Sequence, residues 1–240
     1  MSLFKSFIAL TAISLTSHAA ELPYDIKETE VLVSNDFSKD NLKEKPWSIR
    51  FGTWHVKNGA LSSEQIASQN HSSSMSLFYK ISNETMFSCD FTLGEKGKGF
   101  RVALFGKGGC KLMIHSHEMY LILNDKQDKD NGPDFIDWKK VDFKPGQKYH
   151  LDFAVKGDTT VVLIDGKVMM AGKHPILKND NKKRYQFSTS NPKHTLDNFK
   201  LSNITMNLES IPKDKFRDKH WSIEEFGKLP ARKELAKKEN

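Results

Sequence analysis

Between residues 30 and 205 the chain alternates between short strand-like runs and turns rich in Gly, Asn, Asp and Lys. About fourteen such runs occur, and no long helical pattern separates them. This alternation predicts an all-β fold, an antiparallel sandwich of two sheets, rather than alternating strands and helices. The dipeptide Asp165-Gly166 predicts the tight turn of a hairpin, because both positions of such a turn need positive φ angles.

Period-two alternation assigns the faces of individual strands. Phe87, Cys89 and Phe91 share one side of their run, and Ser88 and Asp90 share the other. Similar alternation in the runs at 100–105 and 149–155 predicts that one side of each strand packs into a core between the two sheets.

Two cysteines, Cys89 and Cys110, lie on either side of the run GFRVALF. If the three runs form a meander, the cysteines are two strands apart, at about 9–10 Å. A disulfide needs Cα atoms closer than about 7 Å. We therefore expect two free, buried thiols.

The first twenty residues have the features of a secretory signal. Lys5 is followed by a short apolar run, and small residues, Ser17 and Ala19, stand where a signal peptidase would cleave. No other apolar run is long enough to span a membrane, so we expect an exported protein, periplasmic or extracellular, without a transmembrane segment. The net charge of +7 for the full chain favours anionic partners, or simply a solvated basic surface.

The expected organisation is a signal peptide at 1–20, a β-sandwich domain at 21–210 and a basic helical tail at 211–240. In the tail, Ser222 and Glu225 form a capping box, and Pro230 could open a second short helix. The charges of this tail alternate in sign, which is typical of an exposed helix face, so no nucleic-acid partner is expected.

The opening stretch DFSKDNLKEKPWSIRFGTWHVKNGALSS resembles the start of laminin-G-like and 3-keto-disaccharide hydrolase domains, members of the concanavalin A-like lectin/glucanase superfamily. The segments KPGQKYHLDFAVKGDTTVVLIDGK and LDNFKLSN are similar to later strands of those domains. The resemblance covers roughly residues 30–206 and implies a jelly-roll sandwich. The matching residues of the opening are Phe37, Trp47, Gly52, Trp54, Val56, Gly59 and Leu61.

In domains of this type the early tryptophans pack inward, so the resemblance implies that Trp47 and Trp54 are core residues rather than a platform for sugar. The hydrolase relatives carry an Asn-Ser-Gly strand and a Gly-Tyr-Glu-x-Gln strand, and the glucanases carry Glu-x-Asp-x-x-Glu. None of these motifs is present in this sequence. A scaffold without those carboxylates favours a binding role over catalysis.

Three residues are the candidate carbohydrate-binding site: Arg101 in GFRVALF, and His115 and His117 in CKLMIHSH. If these runs are neighbours, Arg101 offers a planar donor fork for carboxylate or sulfate, and the histidines add donors. The alternative is that Met113, Met119 and Leu121, which alternate in step with the two histidines, make this face a buried one. A histidine pair could also hold Zn²⁺ or Cu²⁺, but it lacks a third ligand.

The acidic loop at 124–134 contains Asp125, Asp128, Asp130 and Asp134, which offer the oxygen ligands that Ca²⁺ prefers. Its spacing differs from that of an EF-hand, and nearby lysines weaken its field for a cation. We prefer the interpretation of a solvated loop and expect no cofactor.

These observations predict an exported, lectin-like protein that binds carbohydrate, with anionic polysaccharide as the specific expectation, and that is not catalytic. The first alternative is a glycoside hydrolase of the 3-keto-disaccharide hydrolase or glucanase type, which needs a pair of carboxylates across a cleft. The second alternative is a structural or accessory domain that binds another protein through an exposed apolar patch.

Overall fold

The computed structural model describes residues 24–95, 99–123, 134–189, 193–217, 220–230 and 232. The expected signal sequence lies outside these residues. Within them there is one short α-helix, α1 (Ile223–Gly227), and no helix is long and apolar enough to cross a membrane. The strands in chain order are β1 (Ile26–Asn35), β2 (Trp47–Phe51), β3 (Thr53–Lys57), β4 (Ala60–Glu64), β5 (Ser73–Phe78), β6 (Glu84–Thr92), β7 (Phe100–Gly106), β8 (Cys110–Ile114), β9 (Glu118–Leu123), β10 (Phe135–Lys140), β11 (Lys148–Lys156), β12 (Thr159–Ile164), β13 (Lys167–Lys173), β14 (Lys182–Thr189), β15 (Thr195–Met206) and β16 (Phe216–Arg217).

The strands form two sheets that pack face to face, which confirms the predicted sandwich. Sheet A has the spatial order β16-β13-β12-β11-β6-β15-β4-β3, with β1 also paired to β15. Sheet B has the order β10-β9-β8-β7-β14-β5-β2. Neighbouring strands are antiparallel except for β13 and β16, which run parallel.

The core between the sheets is built from the inward residues of both. Phe87 of β6 packs against Phe187 of β14, with ring centres 5.2 Å apart. The two early tryptophans belong to this core, as predicted. Trp47 is 8% and Trp54 7% exposed, and the Trp54 indole donates a hydrogen bond to the Phe51 carbonyl at 3.2 Å.

The predicted hairpin turn is present between β12 and β13, where Asp165 and Gly166 have φ angles of 49° and 72°. Both cysteines are free and buried, also as predicted. The reason differs from the expected meander. Cys89 lies on β6 of sheet A, whereas Cys110 lies on β8 of sheet B, because the chain changes sheets between β6 and β7.

One edge of the sandwich is closed where β10 of sheet B meets β13 of sheet A. A Cβ atom on Gly172 would lie 2.1 Å from the Cγ2 atom of Ile136, so the absence of a side chain allows the two strands to approach. Asp137 beside this contact accepts a hydrogen bond from Arg217 of β16 at 3.1 Å.

The segment after β15 returns along sheet A and then reaches sheet B. Ile211 joins a second apolar cluster with Met86, Leu163 and Ile204 on the outer side of sheet A. Further on, the predicted capping box of α1 is present, and Phe226 of that helix is 2% exposed. The second helix expected after Pro230 falls mostly on residues outside the described ranges.

Candidate functional site

A row of five residues crosses the outer face of sheet B. Arg101 of β7 pairs with Ser188 of β14 on one side and with Met113 of β8 on the other. Ser188 pairs in turn with Ser74 of β5, and Met113 pairs with Tyr120 of β9. Directly paired residues of neighbouring strands point to the same side of a sheet. The residues that flank Arg101 in sequence are buried in the core, so this row faces outward.

Arg101 is the cation of this row. Its Nη2 atom donates a hydrogen bond to the Ser188 hydroxyl at 2.8 Å. Its Nε atom is buried and has no hydrogen-bond partner among the described residues. Burial lowers the pKa of Arg101 below its ordinary value, yet a guanidinium stays charged at any physiological pH. The residue therefore places a positive charge on the outer side of sheet B, while its Nε donor is enclosed and has no partner among the described residues.

His115 and His117 do not share a strand, which corrects the premise of the sequence-based site. Strand β8 ends at Ile114, and the His115 amide donates to the Glu118 carbonyl at 2.8 Å, closing a turn between β8 and β9. His117 is exposed at this turn, where its carbonyl accepts from the Val141 amide at 3.0 Å. A tight turn breaks period-two alternation, so the spacing of two does not put both imidazoles on one face.

Of the two histidines, only His115 is linked to Arg101, because both residues interact with Tyr120. The His115 ring stacks on the Tyr120 ring with centres 5.8 Å apart and an angle of 15° between the planes. Its Nδ1 atom accepts a hydrogen bond from the Gly99 amide at 3.3 Å. The Arg101 charge also interacts with Tyr120, whose pKa is raised chiefly by burial. Arg101 and His115 thus lie around one tyrosine, while His117 lies apart.

The same turn separates the apolar residues that the alternative interpretation placed together on this face. Met113 pairs with Tyr120 and is half-buried on the outer face. Met119 and Leu121 are fully buried on the inner face. The three apolar residues of equal parity are therefore split between the two sides of the sheet.

The C-terminal segment forms one wall of this face. Phe226 of α1 stacks on Phe135 with ring centres 3.6 Å apart, and it contacts Tyr120 edge-on at 5.3 Å. Arg232 donates two hydrogen bonds to the Glu118 carboxylate, at 2.7 and 2.8 Å. Burial acts to raise the pKa of Glu118, but the hydrogen bonds from Arg232 and Trp138, together with the nearby charges of Arg232 and His115, hold this pKa below its ordinary value.

Sequence reasoning missed Tyr120, Ser188 and the arginine of the tail. The alternation of EMYLIL could have placed Tyr120 on the outer side of its strand, because Met119, Leu121 and Leu123 are the apolar set. No local signal brings Ser188 or Arg232 to this face. Their positions follow from strand order and from the path of the tail.

A metal site receives no support from the described residues, among which no three His, Cys, Asp or Glu side chains are grouped to hold an ion. Of the four aspartates considered for Ca²⁺, only Asp134 lies in the described ranges, near His174 at 3.6 Å. The other three lie outside the described residues, so the interpretation of this segment as a solvated loop without Ca²⁺ stays a prediction.

A second polar cluster occupies the outer face of sheet A. The imidazole of His150 lies between two carboxylates, 2.7 Å from Asp90 and 3.3 Å from Asp152. Hydrogen bonding to Asp152, followed by that to Asp90, raises the pKa of His150 to about 9. Ser88 donates to Asp152 at 2.6 Å. The hydroxyl therefore bonds the carboxylate and not the imidazole, so these residues lack the nucleophile–base contact of a serine hydrolase.

An open cavity of about 590 Å³ lies over this cluster, under the segment that follows β1. Asn198 in its lining donates to Asp90 at 2.7 Å, and Asn35 donates to Asn41 at 2.8 Å. These polar groups bond to one another, in contrast to the unused donor of Arg101.

No protein-family model and no curated protein sequence matches the chain. Similar folds are found among solved structures. A Bacillus subtilis protein of unknown function with a galectin-like fold is 12% identical, with a TM-score of 0.55 over 76% of this chain and all of that one. A laminarinase from Flavobacterium sp. UMI-01 is also 12% identical, with a TM-score of 0.54 over 72% of this chain and all of that one.

A sialidase structure is 13% identical, with a TM-score of 0.53 over 74% of this chain but only 19% of that one. Identities this low show the fold and not the activity. Together with the two antiparallel sheets described above, they establish that the chain has the concanavalin A-like, galectin-like sandwich fold.

Proposed function

We propose that this protein is exported and binds carbohydrate, without catalysis, on the outer face of sheet B, and that its ligand is an acidic polysaccharide. The observation that carries the proposal is Arg101, whose partly exposed side chain has a charged guanidinium and no carboxylate partner among the described residues. Such a group favours an anionic ligand, because a planar guanidinium binds carboxylate or sulfate in a bidentate manner.

Three further observations support the proposal. Tyr120, which stacks on His115, lies in the same cross-strand row as Arg101, two strands away, and aromatic rings pack against the apolar side of a sugar ring. Two of the similar structures are named as a laminarinase and a sialidase, enzymes that act on carbohydrate. The N-terminal twenty residues have the pattern of a secretory signal, and their removal takes away Lys5 and leaves a net charge of +6 from the original +7.

The test is titration of residues 21–240 with polygalacturonate, sulfated dextran and neutral dextran at two salt concentrations. We expect binding to the two acidic polymers only, weakened at higher salt because exposed charges are screened over about 8–10 Å. Arg101→Gln should weaken binding about tenfold or more, the size expected for one charge-assisted hydrogen bond. Arg101→Lys, which keeps the charge and loses the fork, should recover only part of the affinity.

The exposed Lys167 in the β12–β13 turn of sheet A provides the matched control. Lys167→Gln removes the same charge away from sheet B and should leave binding unchanged. Equal binding to neutral and acidic dextran, or equal affinities of the Arg101 and Lys167 variants at unchanged melting temperature, would contradict the proposal. Release of reducing sugar by the wild-type protein would favour the hydrolase alternative.

A further inference from the structure

The five arginines of the sequence divide into two groups by their partners. Arg217 is paired with Asp137 at 3.1 Å, and Arg232 with Glu118 at 2.7 Å. Arg50, Arg101 and Arg184 have no carboxylate partner among the described residues. The charges of both arginines in the C-terminal segment are thus paired with a carboxylate. Among the described residues, the charges of the three arginines in the sandwich are not.

Arg184 lies between two aromatic rings on the outer face of sheet B. It pairs with Phe78 of β5 and Phe105 of β7 in the cross-strand register. Its Cζ atom is 4.8 Å from the Phe105 ring centre and 5.5 Å from that of Phe78. The Nε atom of Arg184 is buried without a hydrogen-bond partner in the described parts of the chain. The rings hold the guanidinium in place by cation–π contact and leave its donors unused.

A second guanidinium lies further across the same sheet. Arg50, exposed at the bulge of β2, lies with its Cζ atom 5.6 Å from the Phe51 ring centre, and Phe51 pairs with Ser74 of the row that contains Arg101. Burial lowers the pKa of Arg184, and the charge of Arg50 lowers it further. An anion bound at Arg184 would offset both effects.

The Arg184 cluster and Arg101 belong to one continuous surface. Arg184 and Ser188 are four residues apart on β14, on the same face, and Ser188 is the residue that receives the Arg101 hydrogen bond. Four residues of strand correspond to about 13 Å. Gln186, halfway between them on the same face, pairs with Ala103, which pairs in turn with Lys111. Gln186 and Ala103 are both buried, and Lys111 is the partly exposed cation of this row.

We infer that Arg184, flanked by Phe78 and Phe105, forms a second anion subsite, so that the ligand is a linear acidic polysaccharide with charged groups bound at both ends of the face. This inference rests on the proposed function and extends it from one contact to two. Phe78, which is 51% exposed, is placed to stack on a sugar ring next to the bound acidic group. The distance of about 13 Å between the subsites exceeds the reach of a single monosaccharide.

The experiment measures the affinity of residues 21–240 for oligogalacturonates of two to eight units. Affinity should rise by about tenfold or more between the short and the long oligomers, because the second charge-assisted contact is then made by an already bound chain. Arg184→Gln should remove this gain, so that the long oligomers bind no more tightly than the short ones. Arg184→Lys should recover only part of the gain, whereas Lys167→Gln should behave as wild type. A twelve-nucleotide oligothymidylate, an acidic chain of another class, should bind more weakly than the octamer.

The outcomes separate this inference from the proposal on which it rests. If oligogalacturonates bind through Arg101 but affinity is independent of length, or if Arg184→Gln does not alter the length dependence, the second subsite is wrong and the proposed function stands. If no acidic glycan of any length binds, both are wrong. If oligothymidylate binds as tightly as the octamer, the face recognises charge alone, and the assignment of the ligand as polysaccharide is overturned.

Discussion

His150 shows how one residue depends on partners that are distant in sequence. It alternates with inward residues of β11, and Asp90 on the neighbouring strand β6 is its register partner. The side chain is partly exposed, yet it is held by two carboxylates. The alternation in the sequence places His150, Asp152 and Asp90 on outer faces, but it does not show that β6 and β11 are adjacent, since 60 residues separate the contacting pair.

This geometry predicts a specific dependence of stability on pH. The folded-state pKa of His150, about 9, exceeds the value of about 6.5 for an unfolded histidine. The charged form therefore stabilises the fold fully below about pH 6.5, and this contribution is lost as pH rises through the folded-state pKa. In urea denaturation between pH 6 and 10, the stability difference between wild type and His150→Gln should shrink as pH rises. His55→Gln, at an exposed site of β3, is the control; a difference independent of pH would rule out the charged pair.

At the scale of elements, the strands follow from alternation while the close contacts between them do not. The division of β6, β7 and β11 into two sides is correct, because successive side chains of a strand point to opposite faces, although Met86 and Ala154 on the outer side of sheet A are buried too. Alternation predicts that residues 115–117 continue the strand, whereas the structure has a turn there that no Gly or Pro marks in the sequence. The contact of Gly172 with Ile136 joins two strands of different sheets, and no local sequence pattern predicts it.

The contact between β13 and β10 can be tested with a single methyl group. Gly172→Ala places Cβ against Ile136, which is fully buried and has a stiff, β-branched side chain. Overpacking of this kind costs about 1–3 kcal/mol, so the melting temperature should fall by roughly 2–10 °C. Gly227→Ala, at the end of α1 with no atom within 4 Å of the new Cβ, should change it little. Equal melting temperatures of the two variants in calorimetry would show that the strands can separate without loss.

At the scale of the whole molecule, the two thiols report on the integrity of the sandwich. Cys89 and Cys110 face the core from opposite sheets, and both are fully buried. Burial raises the pKa of the Cys110 thiol to about 12 and that of Cys89 well above its ordinary value. Only the thiolate reacts with an alkylating agent, so the native protein should be protected by both effects.

We expect that iodoacetamide at pH 8 leaves both cysteines unmodified in the native protein and modifies both in urea. Mass spectrometry of the alkylated chain gives the measurement. Because the two thiols belong to different sheets, loss of sheet packing should expose them together. Rapid alkylation of one cysteine under native conditions would contradict the packing described for its sheet.

The sequence by itself determined the fold class, the inward position of Trp47 and Trp54, and the hairpin at Asp165-Gly166. The fold class and the hairpin depend on local rules, alternation with period two and the φ angles of turn residues, which can be read along one chain. The inward position of the tryptophans is what the family resemblance implies. The tertiary structure alone decided that Arg101 meets Tyr120 and Ser188, and that Arg184 lies on the same face between Phe78 and Phe105. Strand order decides those contacts, and it is fixed by burial of the whole core, to which every strand contributes at once.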